Sequence, residues 1–273
     1  MSEEAAIDRV GDRPPATATS LSADLRALGV VEGMNVLAHA SLSALGYICG
    51  GPQAVLIALR NAVGPSGTIL MPTFSGSNSE PSFWQSPPVP EAWWPVIRDH
   101  MPAFDVRLSP GRQMGVVSET FRRLPTALRS AHPNSSFAAD GPRAREFVGE
   151  HPSAHSLGDT SPLGRLYDAD GHVLLLGVGH GNNSSLHLAE HRAAWPSKRR
   201  VKRGGAVLID GERQWKTFED FSSEEDDFER VGADFEREFT GIRSGAVGAG
   251  VGRVFPQRAL VDFAVQWMNT NRT

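Results

Sequence analysis

The chain has 273 residues, 40% of them hydrophobic, enough for a real core and too many for a disordered chain. Its net charge, 27 basic minus 31 acidic residues or −4, argues against a nucleic-acid partner. No apolar run approaches the roughly 20 residues of a membrane span, and the polar, acidic start MSEEAAIDRV lacks the basic opening and apolar stretch of a secretory signal. The expectation is a cytoplasmic protein with no membrane partner.

Residues 1–16 read as a disordered tail ending at Pro14-Pro15, and 17–273 as one domain. Ser20 or Ser22 is placed to cap a helix through Leu25 and Leu28 that Gly29 closes. MNVLAHASL follows as a buried strand, with Val36, Leu37 and Ala38 as its apolar run. The lone cysteine, Cys49, excludes internal disulfides and a cysteine-rich zinc site. Beside Gly50-Gly51 it reads as a small packing residue. Gly50-Gly51-Pro52 opens a helix that Gly64-Pro65-Ser66-Gly67 stops, and TILMPTFS is the next strand.

Residues 76–113 are irregular, broken by seven prolines, with Trp84, Trp93 and Trp94 between them. So long a stretch is usually a functional loop, its tryptophans either lining a pocket or anchoring the loop. Helical spacing returns in MGVVSETFRRLP and again through Arg145 and Phe147. GHVLLLGVG is nearly all apolar and should be a central strand. SSLHLAEHRA follows as a helix, and GGAVLIDGERQWKTF as a hairpin turned at Asp210-Gly211. Residues 219–238 carry much of the acid, either a surface that attracts a cation or a solvated helix face. RALVDFAVQWM closes the chain as an amphipathic helix. The pattern predicts an α/β fold in a single domain, a central mixed sheet flanked by helices.

The chemistry concentrates in His187-Leu188-Ala189-Glu190-His191. Two histidines four apart with a carboxylate between match an inverted zinc-hydrolase pattern, which also needs a third ligand and an open position. The competing reading is a general base. Ser184 is a natural N-cap whose hydroxyl accepts from the His187 amide, placing His187 in the first turn. There the helix's positive end disfavours imidazolium and keeps the ring a neutral base. Glu190, three residues on, shares its helical face. Such a site lies at the carboxyl end of a central strand, where open α/β sheets place ligands. The plain alternative is a buried helix histidine beside a surface acid.

Three separated stretches tilt this balance. They are VLAHASLSALGYICGGPQAVLIALRNAVGPSGTILMPTFS (36–75), SPGRQMGVVSETFRRLPTALRSAHPNSSFAADGP (109–142) and SPLGRLYDADGHVLLLGVGHGNNSSLHLAEHRA (161–193). With the acidic carboxyl-terminal region they cover most of 20–265, and they resemble the aminoglycoside N3-acetyltransferase family. The resemblance implies a fold distinct from the common N-acetyltransferase fold. It implies direct acetyl transfer from acetyl-CoA to the 3-amine of a 2-deoxystreptamine antibiotic, with resistance as the outcome and no metal. It places the catalytic base on His187 and its carboxylate on Glu190, and keeps a hydroxyl at Ser184.

For the cosubstrate it points to His39, Ser41, Leu42, Ser43 and Gly46, to the Arg112, Met114 and Gly115 turn, and to Ser136. His132 with Pro133 should fix a loop. The basic run from Lys198 to Arg203 either meets the 3′-phosphate or is a solvated strand edge. A polycationic acceptor calls for carboxylates, and Glu80, Asp105, Asp226 and Asp227 are the candidates. The loop after the MPT strand lacks the Trp-x-Asp feature of many drug-modifying relatives. The alternative acceptor is therefore a different amine. The expected partner is a small cationic amine, on a monomer or homodimer.

Overall fold

The computed structural model describes residues 3–273. Helix α1 (Glu3–Val10) occupies what the sequence predicts as a disordered tail. Its Ala6 is buried, the Tyr47 amide donates to the Ala6 carbonyl at 3.0 Å, and Ala16 bridges to Ile48. Gly46 makes the docking possible. It has φ +83°, and a Cβ there would stand 2.9 Å from Val10 and 2.8 Å from Ala249. Helix α2 (Ala18–Leu28) is capped by Thr17 rather than by Ser20 or Ser22. Thr17 has extended backbone and accepts from the Ser20 amide, while Ser20 returns a bond to the Thr17 amide. Gly29, at φ +102°, closes the helix as expected.

Strand β1 (Asn35–Ala40) leads to α3 (Gly51–Val63) and β2 (Thr68–Pro72), a parallel unit. Cys49, just before α3, is exposed rather than packed, its amide tied to the Ala16 carbonyl. The proline-rich segment contains α4 (Trp94–His100) and is pinned from below. Asn78 exchanges hydrogen bonds with both backbone groups of Ala206, and Phe104 N donates to the Ala206 carbonyl. Helix α5 (Gly115–Phe121), strands β3 (Leu128–Arg129) and β4 (Phe137–Asp140), and helices α6 (Ala144–Val148) and α7 (Pro162–Asp168) follow. Then come β5 (His172–Leu176), α8 (Ser185–Arg192) and the hairpin of β6 (Arg200–Ile209) and β7 (Glu212–Phe221). The hairpin turns at Asp210 (φ +51°) and Gly211 (φ +83°), the left-handed pair a two-residue turn requires. Helix α9 (Phe228–Glu238), strands β8 (Arg243–Val247) and β9 (Gly250–Pro256) and helix α10 (Gln257–Asn271) complete the chain.

The seven-stranded sheet runs β3-β4-β2-β1-β5-β9-β8. β1 is parallel to β2 and β5; the other pairings are antiparallel. This is a single α/β domain with a mixed central sheet. Alternation along the strands divides the core. Val36, Ala38, Leu174 and Leu176 pack with α2, α3 and α5, while Leu37, Val173 and Leu175 pack with α6 to α10. Both faces are covered, which is why β5 reads as an unbroken apolar run. Among the described residues no helix is long and apolar enough to cross a membrane.

Candidate active site

The carboxyl ends of β1, β2 and β5 converge on a cavity of about 660 Å³, where the strand order places a ligand crevice. Ala38, His39 and Ala40 enter from β1, and Met71 and Pro72 from β2. The loop after β5 and the start of α8 contribute Asn182, Asn183, Ser184 and His187. The proline-rich segment supplies Phe83 and Trp84, so Trp84 both lines the cavity and anchors its own loop, its ring N–H donating to Ser79 Oγ at 2.8 Å.

The Ser184 hydroxyl makes no capping bond. Its backbone is already helical (φ −59°, ψ −18°), so its side chain is not aimed along the helix axis as an extended cap would be. Asn183, extended at ψ 96°, takes over, its Oδ1 accepting from the Ser185 amide at 3.1 Å. The Ser184 carbonyl takes the His187 amide. This leaves the Ser184 hydroxyl on the cavity wall.

His187 is buried, with Nδ1 2.8 Å from Glu190 Oε2 and its ring edge against Phe228. A carboxylate at Nδ1 holds the proton there and leaves the Nε2 lone pair free. Nε2 stands 3.7 Å from Glu225 Oε1, and both residues line the cavity. Glu190 is fixed in turn: its Oε1 accepts from the Glu224 amide at 2.8 Å and from Arg272 Nη1 at 2.9 Å. Arg272 also forks onto both Asp227 oxygens and lies over Trp195.

The helix start does not set the charge of His187. Burial pulls its pKa down, but the hydrogen bond and charge of Glu190, with Glu225 and Asp220, bring it above the ordinary 6.5. Burial pushes Glu190 up, yet His187, the Glu224 amide and Arg272 hold it below the usual carboxylate value. Glu190 is therefore ionised. His39 behaves oppositely: burial, then the nearby His187 charge, drives it to about 3, so it stays neutral. Its Nε2 is buried without a hydrogen-bond partner, on a residue that lines the cavity.

Of the expected cosubstrate residues, His39, Arg112 and Met114 line the cavity, and Gly115 opens α5 beside the Ala40 carbonyl. Leu42 and Ser43 open a 3-10 turn (Leu42–Leu45) just past the His39-Ala40 wall, with Ser41 at its start. Gly46 is turned away, spent on α1. Ser136 is fully buried between Thr73 and Arg129, because those groups need its hydroxyl. The expected acceptor carboxylates do not line the cavity. Glu80 is held by Arg98, Asp105 caps its own turn at Arg107 and Leu108, Asp226 faces solvent, and Asp227 is taken by Arg272. The carboxylate that does line it is Glu225. Arg203 from the basic run also reaches the wall, stacked on Phe83. His132 does fix its loop, Nδ1 accepting from the Asn134 and Ser135 amides.

A buried imidazole–carboxylate pair facing a cleft at the carboxyl ends of parallel strands has the form of an enzyme site in an α/β fold. Sequence and structure comparisons make the class specific: the chain belongs to the aminoglycoside 3-N-acetyltransferase family, a family of acyltransferases, whose model matches residues 37–269. It is 42% identical to the SPbeta prophage-derived aminoglycoside N(3')-acetyltransferase-like protein YokD of Bacillus subtilis (strain 168), over 94% of each chain. The crystal structure of YokD superposes with a TM-score of 0.91 at 41% identity, covering 94% of this chain and 95% of that one. Aminoglycoside N(3)-acetyltransferase VII of Streptomyces paromomycinus is 39% identical, covering 93% and 92%. Among solved structures, AAC-IIIb in binary complex with CoASH matches at TM-score 0.83 and 34% identity (93% and 97% covered), and AAC-VIa bound to sisomicin at 0.85 and 32% (94% and 98%).

Proposed function

We propose that this protein transfers acetyl from acetyl-CoA to the 3-amine of an aminoglycoside in the cytoplasm, with resistance as the consequence. The observation that carries the reading is the His187–Glu190 pair, its free Nε2 on the cavity wall. The CoASH and sisomicin complexes of relatives support both substrates.

An amine with a pKa of about 10 enters as ammonium and cannot attack a thioester. Its first proton leaves to solvent through His187 Nε2, and Glu225 holds the cationic acceptor against the base. The neutral nitrogen attacks the thioester carbonyl carbon directly, with no acyl-enzyme. As the C–N bond forms, the nitrogen passes a second proton to His187, and ionised Glu190 stabilises the imidazolium. The Ser184 hydroxyl donates to the oxyanion. The C–S bond then breaks, and the imidazolium proton leaves with the sulfur as CoA thiol. Neutral His39 binds the cosubstrate, and Arg112 and Arg203 are the cations available to its phosphates.

Release of CoA thiol from acetyl-CoA across a panel of aminoglycosides tests the reading, with the acetylated position read by NMR. Rapid release with gentamicin- or kanamycin-type drugs and acetyl on the 3-amine is expected. Acetyl-CoA binding with no release by any drug would transfer the reaction to a different amine.

A further inference from the structure

Helix α8 carries two histidines four residues apart, and the reaction uses only His187. One turn on, His191 Nε2 stands 3.3 Å from Asp220 Oδ1 on β7. His155, from the loop before α7, completes a triangle. One ligand atom from each of the three lies within 4.8 Å of the others. The 3.3 Å spacing is the edge of a tetrahedron of donors at about 2.0 Å from a central ion.

Three further observations set this triangle apart. First, His155 Nδ1 is buried without a hydrogen-bond partner, whereas both ring nitrogens of neighbouring His132 and His151 are engaged. Second, the carboxylate is pre-oriented: Asp220 Oδ2 accepts from Ser156 Oγ at 2.6 Å, and Oδ1 from the Phe221 amide at 2.9 Å. Outer partners of this kind are what orient a metal-binding carboxylate. Third, His155 holds a left-handed backbone (φ +53°), fixed by its amide on the Glu219 carbonyl. That conformation is costly for a residue with a side chain. Both imidazoles pack on Phe221, at 5.3 Å each. The nearby Lys198 ammonium is held on the His191 and Ala193 carbonyls.

We propose that His155, His191 and Asp220 bind a divalent transition metal, best suited to Zn²⁺, with water in the fourth position. Two nitrogens and one oxygen within 4.8 Å of one another favour zinc over Mg²⁺ or Ca²⁺, which want more oxygen ligands. The ligands come from a loop, a helix and the hairpin. The ion fastens the β6–β7 hairpin and the 149–161 loop to the helix that carries His187. It takes no part in acetyl transfer.

The test titrates chelator-treated full-length protein with ZnCl₂ by calorimetry, and with Co²⁺ as a spectroscopic probe. The expected result is one equivalent bound, intense visible bands of four-coordinate Co²⁺, and a melting temperature raised by zinc. His155→Ala and His191→Gln should each weaken binding by about 100-fold or more, exceeding the usual cost of an outer-shell change. They should also abolish the thermal shift. Both spare the Ser156 anchor, so circular dichroism of the metal-free variants should match wild type. His100→Ala, at an exposed histidine, is the control. No stoichiometric binding by wild type, unchanged affinity in both variants, or loss in His187→Ala with His155→Ala intact would each overturn the proposal.

Discussion

Glu190→Gln is the most informative single change at the pair. The carboxylate offers one oxygen to His187 at 2.8 Å and the other to Arg272 and the Glu224 amide. An amide has only one acceptor oxygen. If that oxygen serves His187, the amide NH₂ confronts two donors; if it serves Arg272, the ring loses its partner. The imidazolium formed during transfer also loses its buried counter-charge. A hydrogen bond to a charged group contributes about 1.5–3 kcal/mol, so turnover should fall roughly 10- to 150-fold. The pH profile carries the sharper signature. Protonated His187 cannot act as base, and Glu190 raises its pKa, so the acid limb of kcat/KM should lie above the ordinary 6.5 in wild type. Removing the carboxylate should move that limb to lower pH. The assay is CoA thiol release against pH. Turnover within twofold of wild type with an unmoved limb would refute the roles of Glu190 and His187 together.

Other consequences follow from buried groups. Arg272→Met leaves Glu190 without its guanidinium and should cost about 3–5 kcal/mol in urea unfolding, with turnover falling alongside, as is usual for breaking a buried pair. Ser184→Ala should lower kcat by about 10²-fold with little change in acetyl-CoA affinity, if the hydroxyl serves the oxyanion; an unchanged kcat would remove that role. Leu174→Ala, at a fully buried position of β5, should cost about 2–5 kcal/mol by equilibrium denaturation. Acid should destabilise the fold well before carboxylates titrate. Burial holds His39 and His151 at about 3 and His132 at about 4, below the ordinary 6.5. The unfolded chain takes up protons near 6.5 and the folded chain does not. Their contribution is complete above about pH 6.5 and declines below it, by up to about 1.4 kcal/mol per unit for each group. His187, raised, works in the opposite sense, contributing fully below 6.5 and losing that contribution as pH rises through its folded value. Denaturation at pH 7 and pH 5.5 checks the net slope; equal stabilities would contradict it.

What the sequence reveals depends on how local the cause is. β1, β2 and β5 are legible because burial on both faces demands unbroken apolar runs, and the hairpin because Asp-Gly supplies two left-handed residues. β3 and β4 are two and four residues long, and β8 and β9 are rich in glycine. Their strand character comes from neighbours across the sheet, which no window of sequence contains. The amino-terminal helix is hidden for the same reason, since its stability lies in the turn it covers. The pair His187 and Glu190 is visible at its i, i+3 spacing. Arg272 reaches Glu190 from 82 positions away and carries no local mark. Glu225 lies within the acidic stretch 219–238, where nothing in the run of acids marks the one that lines the cavity. Glu225 faces the cavity, while α9 buries Phe228, Val231 and Phe235 and exposes Glu229 and Glu238.

The central claim is that His187 is the base of an acetyl transfer, and His187→Ala tests it most directly. Thiol release with the best aminoglycoside acceptor should be measured beside acetyl-CoA affinity by calorimetry. The expected result is a loss of turnover of about 10²- to 10⁴-fold, the usual worth of a general base, with acetyl-CoA bound nearly as in wild type. Near wild-type turnover in the variant would contradict the assignment.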